Sequence, residues 1–346
     1  MDNTKSQLGQ FYTTNYSYIL NGMIIPPNSV IVEPFCGKGD LLNFANRFNP
    51  KEIRTFDIDP KQDGIERRDT LKHPPSYQDT FVLTNPPYLA KNKHKGDKSV
   101  FVKFKQDDLY KCFIESIIRS PCSGGIIIIP LNFWSSIRKN DSILRERFVN
   151  VYKTIRVNVF EESVFKDTAY TVCSILFRRK KYHDSRVCED VDMHFYPSRD
   201  RLAIKVGEYN RYTIGGDVLW KLPQTQSYKV ERATRLNKDC AGLTNILLKN
   251  IDDTSTSRIC LKIVSDDEIQ KHVDHTEKLS SRSYASLVIT PPIPLEKQKE
   301  VVDIFNARLE KWRGQFRSLF LTNYRENNRK RISYTLAFKM VNYILR

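Results

Sequence analysis

Apolar and polar positions along the first half of the chain follow two different periodicities. Short apolar runs predict buried strands at 30–32, 53–58, 81–83, 126–129, 154–160 and 169–177. Helical patterning lies among them at 16–23, from about residue 41, at 109–118 and at 142–148. This alternation of strand and helix predicts a single α/β domain over residues 1–180, with its last strand at 169–177.

The pattern changes at the basic run Arg-Arg-Lys-Lys at 178–181. Residues 183–290 hold short, irregular, strand-like segments with few long helices, and Pro-Pro-Ile-Pro at 291–294 indicates a hinge. A strong helical pattern follows at 295–320, and we expect another helix at 332–345. We therefore predict a second domain of mixed α+β structure over residues 181–346.

The strand at 81–83 ends in a stiff corner, Thr84-Asn85-Pro86-Pro87-Tyr88. Proline cannot continue a sheet ladder, and two in succession fix the backbone. The corner directs the Asn85 side chain, the Pro86 carbonyl and the Tyr88 ring beyond the carboxyl edge of the strand. Ligands of open α/β sheets bind at that edge.

These three groups suit methylation of a flat aromatic amine. Its nitrogen is a poor nucleophile because the lone pair is delocalised into the ring, and acceptors at Asn85 and Pro86 would expose that lone pair. Tyr88 could stack on the ring and orient it. An ordinary Pro-Pro turn explains the motif equally well when it is taken alone.

A second ligand-binding segment follows the strand at 30–32. It runs from Glu33 through Gly37 and Gly39 to Asp40 and leads into a helix, as in nucleotide-binding βα units. Because an acid before the glycines would repel a pyrophosphate, Glu33 favours a cationic ligand such as S-adenosyl-L-methionine.

Two further acids stand near the ends of the next strands. Asp57 could accept both ribose hydroxyls of such a cofactor, whereas Asp59 is a turn residue. Asp69 could accept from the adenine amino group. Each could instead be a solvated loop carboxylate.

Residues 89–108 form a long connection that contains six lysines. We interpret it as a mobile loop that contacts phosphates beside the site. A merely solvated lysine loop is the alternative.

The chain of 346 residues carries a formal net charge of +16. Residues 1–180 contain 27 Lys or Arg and 19 Asp or Glu, so each half has the same positive excess. Charge of this size over the whole chain favours a polyanionic partner such as nucleic acid, although solubility alone is an alternative.

Other sequence features exclude several classes of protein. No apolar run is long enough to span a membrane, and the N-terminus lacks a signal-peptide core. The seven scattered cysteines, without a Cys-x-x-Cys pair, predict reduced thiols in a cytoplasmic, intracellular protein. His272 and His275 have helical spacing but no further ligand nearby, so we expect no metal site.

Taken in order, these segments resemble the gamma-type N6-adenine DNA methyltransferases of type II restriction–modification systems. The motifs that match are 10–13 (Gln-Phe-Tyr-Thr), 33–37 (Glu-Pro-Phe-Cys-Gly), Asp57, Asp69 and 85–88 (Asn-Pro-Pro-Tyr). Segments 109–115, 124–130 and 164–165 also fall in family order, and the resemblance covers about residues 7–178.

The resemblance implies a Rossmann-like S-adenosylmethionine-dependent methyltransferase domain followed by a mixed α+β target-recognition domain. It implies a catalytic group of Asn85, Pro86, Tyr88 and Phe165, with Tyr88 and Phe165 sandwiching the target base. The implied cofactor-binding residues are Thr13, Glu33, Phe35, Cys36, Gly37, Asp57, Ile58, Asp69, Thr70, Asn85 and Pro87. Two positions depart from the family: Thr70 replaces a frequent aromatic residue, and Lys38, which we expect to face solvent, lies between the glycines.

The expected activity is site-specific transfer of methyl from S-adenosyl-L-methionine to a flipped-out adenine in double-stranded DNA. Such an enzyme would protect DNA from a partner restriction endonuclease. An RNA adenine or a protein glutamine could be the substrate instead, because release-factor methyltransferases share Asn-Pro-Pro-Tyr. A DNA-binding module without activity is the third reading.

Overall fold

The computed structural model describes residues 13–165, 171–182, 184, 188–220, 222–223, 227–254, 256–274, 283–323 and 330–346. The predictions for residues 10–12, 166–170 and His275 lie outside these ranges. The chain forms two compact units, Met1–Tyr212 and Thr213–Arg346.

The first unit contains a nine-stranded sheet in the order β3-β2-β1-β4-β5-β7-β6-β8-β9. Its strands are β1 (Val30–Glu33), β2 (Glu52–Asp57), β3 (Glu66–Arg67), β4 (Phe81–Thr84), β5 (Gly124–Pro130), β6 (Tyr152–Phe160), β7 (Val172–Arg179), β8 (Cys188–Tyr196) and β9 (Arg201–Gly207). The first five strands pair in parallel, and β7 runs antiparallel between β5 and β6. The chain reverses its direction of travel across the sheet between β1 and β4, so the predicted Rossmann-like fold is confirmed.

The core of this sheet consists of the predicted apolar runs. Every residue of β4 and of β5 is buried, as expected for strands covered on both faces. Gly125 permits a close approach at this point, because a Cβ there would lie 2.6 Å from the Val82 carbonyl oxygen.

Helices of the first unit are α1 (Tyr16–Ile19), α2 (Leu42–Ala45), α3 (Ser99–Phe104), α4 (Leu109–Arg119), α5 (Asn132–Ser135) and α6 (Lys139–Val151), with 3-10 turns at Asn46–Phe48 and Glu208–Asn210. Each predicted helix is present, although α1 ends earlier than expected. α3 was not predicted, because we interpreted its residues as part of a lysine-rich loop.

Arg145 of α6 links the end of the first unit to its interior. The side chain is fully buried, and its guanidinium donates to the carbonyl oxygens of Phe133 (2.8 Å), Ser136 (2.7 Å) and Tyr212 (2.9 Å). Burial lowers the pKa of Arg145 to about 10. A buried guanidinium needs such acceptors, since an unsatisfied charge in the core is strongly destabilising.

The predicted last strand and domain boundary need correction. β7 is not the end of the sheet, because β8 pairs with β6 in parallel and β9 pairs with β8. The first unit therefore extends past residue 180 to Tyr212. The sequences of β8 and of the edge strand β9 alternate between buried and more exposed residues, and we read them as part of an irregular second domain.

The second unit is mixed α+β, as predicted. Its strands are β10 (Lys229–Arg232), β11 (Leu243–Lys249), β12 (Cys260–Ile263), β13 (Tyr284–Thr290), β14 (Thr322–Asn323) and β15 (Lys330–Arg331). Its helices are α7 (Gly216–Trp220), α8 (Asp266–Lys271), α9 (Leu295–Phe316) and α10 (Tyr334–Ile344). An antiparallel sheet, β10-β13-β11-β12, packs against α9, which follows the predicted proline hinge.

None of the described helices combines the length and hydropathy needed to cross a membrane.

Candidate functional site

Three parallel strands bring the predicted site residues to one edge of the first sheet. β1 pairs with both β2 and β4, so the residues at their carboxyl ends, Glu33, Asp57 and Asn85, become neighbours. A cavity of about 220 Å³ lies there. Its lining residues are Thr13, Phe35, Cys36, Gly37, Asp40, Leu41, Asp57, Ile58, Arg68, Asp69, Thr70, Leu71, Lys72, Asn85, Pro87, Leu89, His94, Asp97, Val100 and Leu109.

Ten of the eleven predicted cofactor residues line this cavity, and Glu33 is the exception. Among the predicted catalytic residues, Asn85 reaches the cavity, whereas Pro86, Tyr88 and Phe165 do not line it. The structure thus brings the candidate cofactor residues together.

Asp57 holds the glycine segment in place. One carboxylate oxygen accepts the Gly37 amide at 2.7 Å, and the other accepts the Asp59 amide at 2.7 Å. Gly37 and Gly39 have φ of 56° and 75°, a left-handed conformation that glycine adopts without strain. Since each carboxylate oxygen has further acceptor capacity, Asp57 can still bind hydroxyl groups from the cavity.

Glu33 lies beneath the cavity rather than in its wall. It is 1% exposed, and Thr84 donates to one carboxyl oxygen at 2.5 Å. The other oxygen is buried without a hydrogen-bond partner. Burial raises the pKa of Glu33 to about 8 although the Thr84 hydrogen bond opposes the shift, so the carboxyl is mainly protonated at neutral pH.

Asp69 and Thr70 form the opposite side of the cavity. One Asp69 oxygen accepts the amides of Leu71 and Lys72, each at 3.1 Å. The Thr70 hydroxyl donates to the Pro34 carbonyl at 2.9 Å, which ties this turn to the glycine segment. Lys38 is exposed, as expected.

The Asn85 amide is fixed at both ends. Its nitrogen donates to the Thr13 hydroxyl at 3.1 Å, and its oxygen contacts the Tyr88 hydroxyl. Asn15, rather than Thr13, is the N-cap of α1. The buried Thr13 side chain instead helps to orient Asn85.

Tyr88 and Phe165 are both buried, at 3% and 6% exposed. The Tyr88 hydroxyl lies 2.8 Å from the Ile128 carbonyl as well as against Asn85, and its ring packs edge-on to Tyr110. Burial raises the pKa of Tyr88 well above its ordinary value, so the hydroxyl keeps its proton. The predicted stacking of a target base on these rings remains a prediction.

Residues 89–108, named the strap below, form part of the cavity rather than a bare loop. Their helix α3 buries Val100, Phe101 and Phe104, and the strap contributes Leu89, His94, Asp97 and Val100 to the lining.

The two ends of the strap meet at Asp108. Its carboxylate accepts the Leu89 amide at 3.1 Å, and the Leu109 amide donates to the Leu89 carbonyl at 3.2 Å. Burial raises the pKa of Asp108 to about 7.

Two lysines attach the strap to the turn that carries Asp69. Lys72 pairs with Asp97 of the strap at 2.9 Å. Lys103 donates to the carbonyls of Leu71 and Lys72 at 3.2 and 2.8 Å. Lys103 of the strap therefore has structural partners, and phosphate contact by the strap lysines remains a prediction.

Ten lining residues were not predicted, and the strap supplies the least predictable of them. Asp40 was within reach of sequence reasoning, since it directly follows the glycines. Nothing in the local sequence places His94 or Asp97 in this wall, because that depends on how the strap folds back.

Groups of His, Cys, Asp or Glu able to hold a metal ion are absent from the described residues. His272 contacts Glu268 at 3.1 Å and packs against Tyr284. All seven cysteines are free.

A scan against protein-family models finds no match, and a search of curated proteins finds no similar sequence. A modification subunit of a putative type I restriction enzyme from Vibrio vulnificus YJ016 is 14% identical with a TM-score of 0.43, and the alignment covers 56% of this chain and 48% of that chain. A putative class I S-adenosylmethionine-dependent methyltransferase from Listeria monocytogenes is 15% identical with a TM-score of 0.38, over 52% and 61%. The M protein of type I restriction enzyme EcoKI is 15% identical with a TM-score of 0.42, over 90% and 72%.

The chain spans about half the length of the first of these proteins. Identities and TM-scores this low do not assign it to a family.

Proposed function

We propose that this chain is an S-adenosyl-L-methionine-dependent methyltransferase that modifies the N6 amine of adenine in double-stranded DNA. One observation carries the proposal: the Asn85 corner shares a single cavity with Asp57 and Asp69 at the carboxyl edge of the sheet. The corner suits an aromatic amine, and the two acids suit the ribose and the adenine of the cofactor.

The cavity's chemistry fits this cofactor. Asp57, Asp69 and Asp40 supply acceptors and negative charge for hydroxyl, amino and cationic groups, while Phe35, Ile58, Leu71 and Val100 supply apolar surface for a ring. The cations Lys72 and Arg68 in the lining each have an acidic partner: Lys72 pairs with Asp97, and Arg68 pairs with Glu66. Their positive charge is therefore largely balanced.

When bound, the cofactor supplies a methyl group already activated by its sulfonium. The protein then has to orient the amine and expose its lone pair, for which the Asn85 oxygen and the Pro86 carbonyl are the acceptors. The Tyr88 hydroxyl donates to the Asn85 oxygen and also lies within hydrogen-bond distance of the Ile128 carbonyl. Because an amide oxygen has two lone pairs, Asn85 can still accept from the target amine, so we assign Tyr88 a positioning role.

Double-stranded DNA is the proposed partner, because the second unit carries 23 Lys or Arg against 15 Asp or Glu and the first unit carries the same excess. A base within a duplex must be flipped out to reach such a site, at an unstacking cost of a few kcal/mol. Protection of DNA from a restriction endonuclease is the corresponding biological role.

Counting tritiated methyl groups on duplex DNA, RNA and release factor tests the substrate directly. We expect incorporation into duplex DNA, with methyladenine mapping to one sequence in genomic DNA of an expressing host. Transfer to RNA or glutamine instead would select one of the alternative enzymes. DNA binding without a calorimetric signal for the cofactor would select the inactive module.

Asn85→Ala tests the site. Removing the acceptor should abolish turnover, by at least about 100-fold, with duplex binding unchanged in fluorescence anisotropy. Asn15→Ala, at the N-cap of α1 outside the cavity lining, is the matched control. A near-normal rate for Asn85→Ala would remove the catalytic assignment.

A further inference from the structure

A tight turn in the second unit presents one leucine to solvent. The turn spans residues 234–238, after β10, and Leu236 at its tip is 88% exposed. Single exposed leucines are common and need no explanation. The construction of this turn and the charges beside it distinguish Leu236 from the other exposed apolar residues.

The turn is held rigidly by its own polar groups. The Asn237 side-chain oxygen accepts from the Thr234 amide (2.7 Å) and hydroxyl (3.1 Å), and its nitrogen donates to the Arg232 carbonyl at 3.1 Å. The Leu236 amide donates to the Thr234 hydroxyl at 3.3 Å. These bonds fix the backbone on both sides of Leu236.

The base of the turn is anchored in the core. The Arg235 amide donates to the Asp274 carbonyl at 3.0 Å, and the Ala233 amide donates to the Ser286 carbonyl at 2.8 Å. Ala233 belongs to a buried apolar cluster, and Arg232 pairs with Asp274 at 2.9 Å with both side chains buried. Because this support already fixes its backbone, Leu236 loses only side-chain rotamer freedom when a partner buries it.

The charges beside Leu236 match a polyanion. Arg235 is exposed and Lys238 is partly exposed, while Asp239 pairs with Lys238 at 2.9 Å. An apolar side chain between cations is the arrangement that proteins use to insert a wedge between base steps while gripping the flanking phosphates. An apolar protein partner would not call for the flanking cations.

We infer that Leu236 is a wedge that enters the base stack of duplex DNA and that the cation of Arg235 binds the neighbouring phosphate. This inference rests on the proposed function for the identity of the partner.

Two pairs of variants of the full chain test the wedge. Leu236→Ala is expected to bind a 30-base-pair duplex about tenfold more weakly, as expected for loss of a buried leucine, whereas Leu295→Ala, at a 44% exposed leucine of the same unit, is expected to bind normally. Leu236→Trp should lose fluorescence when the duplex is added, because stacking quenches the indole, and Leu295→Trp should not. The wild-type chain supplies the background of its own tryptophans.

The outcomes separate this inference from the proposed function. Duplex binding without quenching at position 236, or with equal quenching at 295, overturns the wedge even if methyl transfer is normal. Quenching at 236 alone, without any methyl transfer by the wild-type chain, supports the wedge and overturns the proposed enzyme. Failure to bind duplex at all overturns the wedge and the DNA substrate together.

Arg235→Gln adds a second readout. It should weaken binding to all duplexes about equally and reduce the slope of log affinity against log salt by about one. An unchanged slope would show that Arg235 makes no phosphate contact. The role of Leu236 is tested separately by its own variants.

Discussion

At the scale of single residues, the side chains around Asn85 fix the orientation of its amide. Thr13 holds one end of the amide and Tyr88 the other. Both partners come from positions that the sequence had marked, but the sequence suggested a different role for Tyr88. Its hydroxyl, rather than the face of its ring, makes the contact that matters for Asn85.

Tyr88→Phe distinguishes these two roles. If the hydroxyl positions Asn85, its loss should lower kcat about fivefold, as expected for one hydrogen bond of about 1 kcal/mol, with KM for DNA unchanged. If the ring stacks on the base, phenylalanine should serve nearly as well as tyrosine. Single-turnover methyl transfer at saturating DNA measures the difference, and an unchanged rate would contradict the positioning role.

Glu33 should make stability depend on pH in an unusual direction. Its folded-state pKa, about 8, lies above its ordinary value of 4.5. The folded state therefore holds a proton that the unfolded state releases, so stability is full below pH 4.5 and falls as pH rises toward 8.

Glu33→Gln should remove this loss, because glutamine keeps the acceptor for Thr84 without ionising. We expect the variant to gain roughly 2–4 kcal/mol relative to wild type between pH 5 and pH 8, measured by urea unfolding. A constant difference between the two proteins across that range would contradict the assignment.

At the scale of elements, the sequence predicted the strands whose positions follow from runs of apolar residues. The apolar runs predicted β1, β2, β4 and β5, and the order of motifs predicted which of their ends would meet. The pattern did not predict the elements whose formation depends on tertiary contacts. Helix α3 lies in a lysine-rich segment, and its apolar residues form a run too short to distinguish a helix from a strand. The alternating polar residues of β8 and β9 resemble irregular structure.

The candidate site divides in the same way. Residues that follow a strand directly, such as Asp57 and Asn85, could be predicted because the end of a parallel strand has a fixed place. His94 and Asp97 could not, since they reach the cavity only after the strap folds across it. Glu33 was predicted to contact the cofactor, but it does not line the cavity. Its buried side chain accepts a hydrogen bond from Thr84 instead.

The strap gives a prediction at this scale. The Lys72–Asp97 pair is exposed, at 41% and 55% for the two side chains, so screening by solvent makes it a weak interaction. Lys72→Met should weaken S-adenosyl-L-methionine binding by about two- to fivefold, because the strap then closes the cavity less firmly. Calorimetry measures the effect, and Lys91→Met, in the same strap outside the lining, is the control. Equal affinities in the two variants would show that the pair does not hold the strap.

At the scale of the whole molecule, the positive charge is divided equally between the two units, each with an excess of eight. Contacts with several phosphates would then release a corresponding number of counterions. We expect non-specific duplex affinity to fall by about 10³-fold or more between 50 and 200 mM salt, measured by fluorescence anisotropy. Cofactor affinity over the same range should change little, and a flat salt response of DNA binding would contradict a phosphate-gripping surface.

Arg145 has a consequence for recombining this protein with others. Its guanidinium takes one of its acceptors from Tyr212, so a chimera that retains only residues 1–180 would leave a charge in the interior short of a partner. A chimera that exchanges the C-terminal part should therefore place its junction after Tyr212, so that the buried Arg145 keeps all three of its carbonyl acceptors.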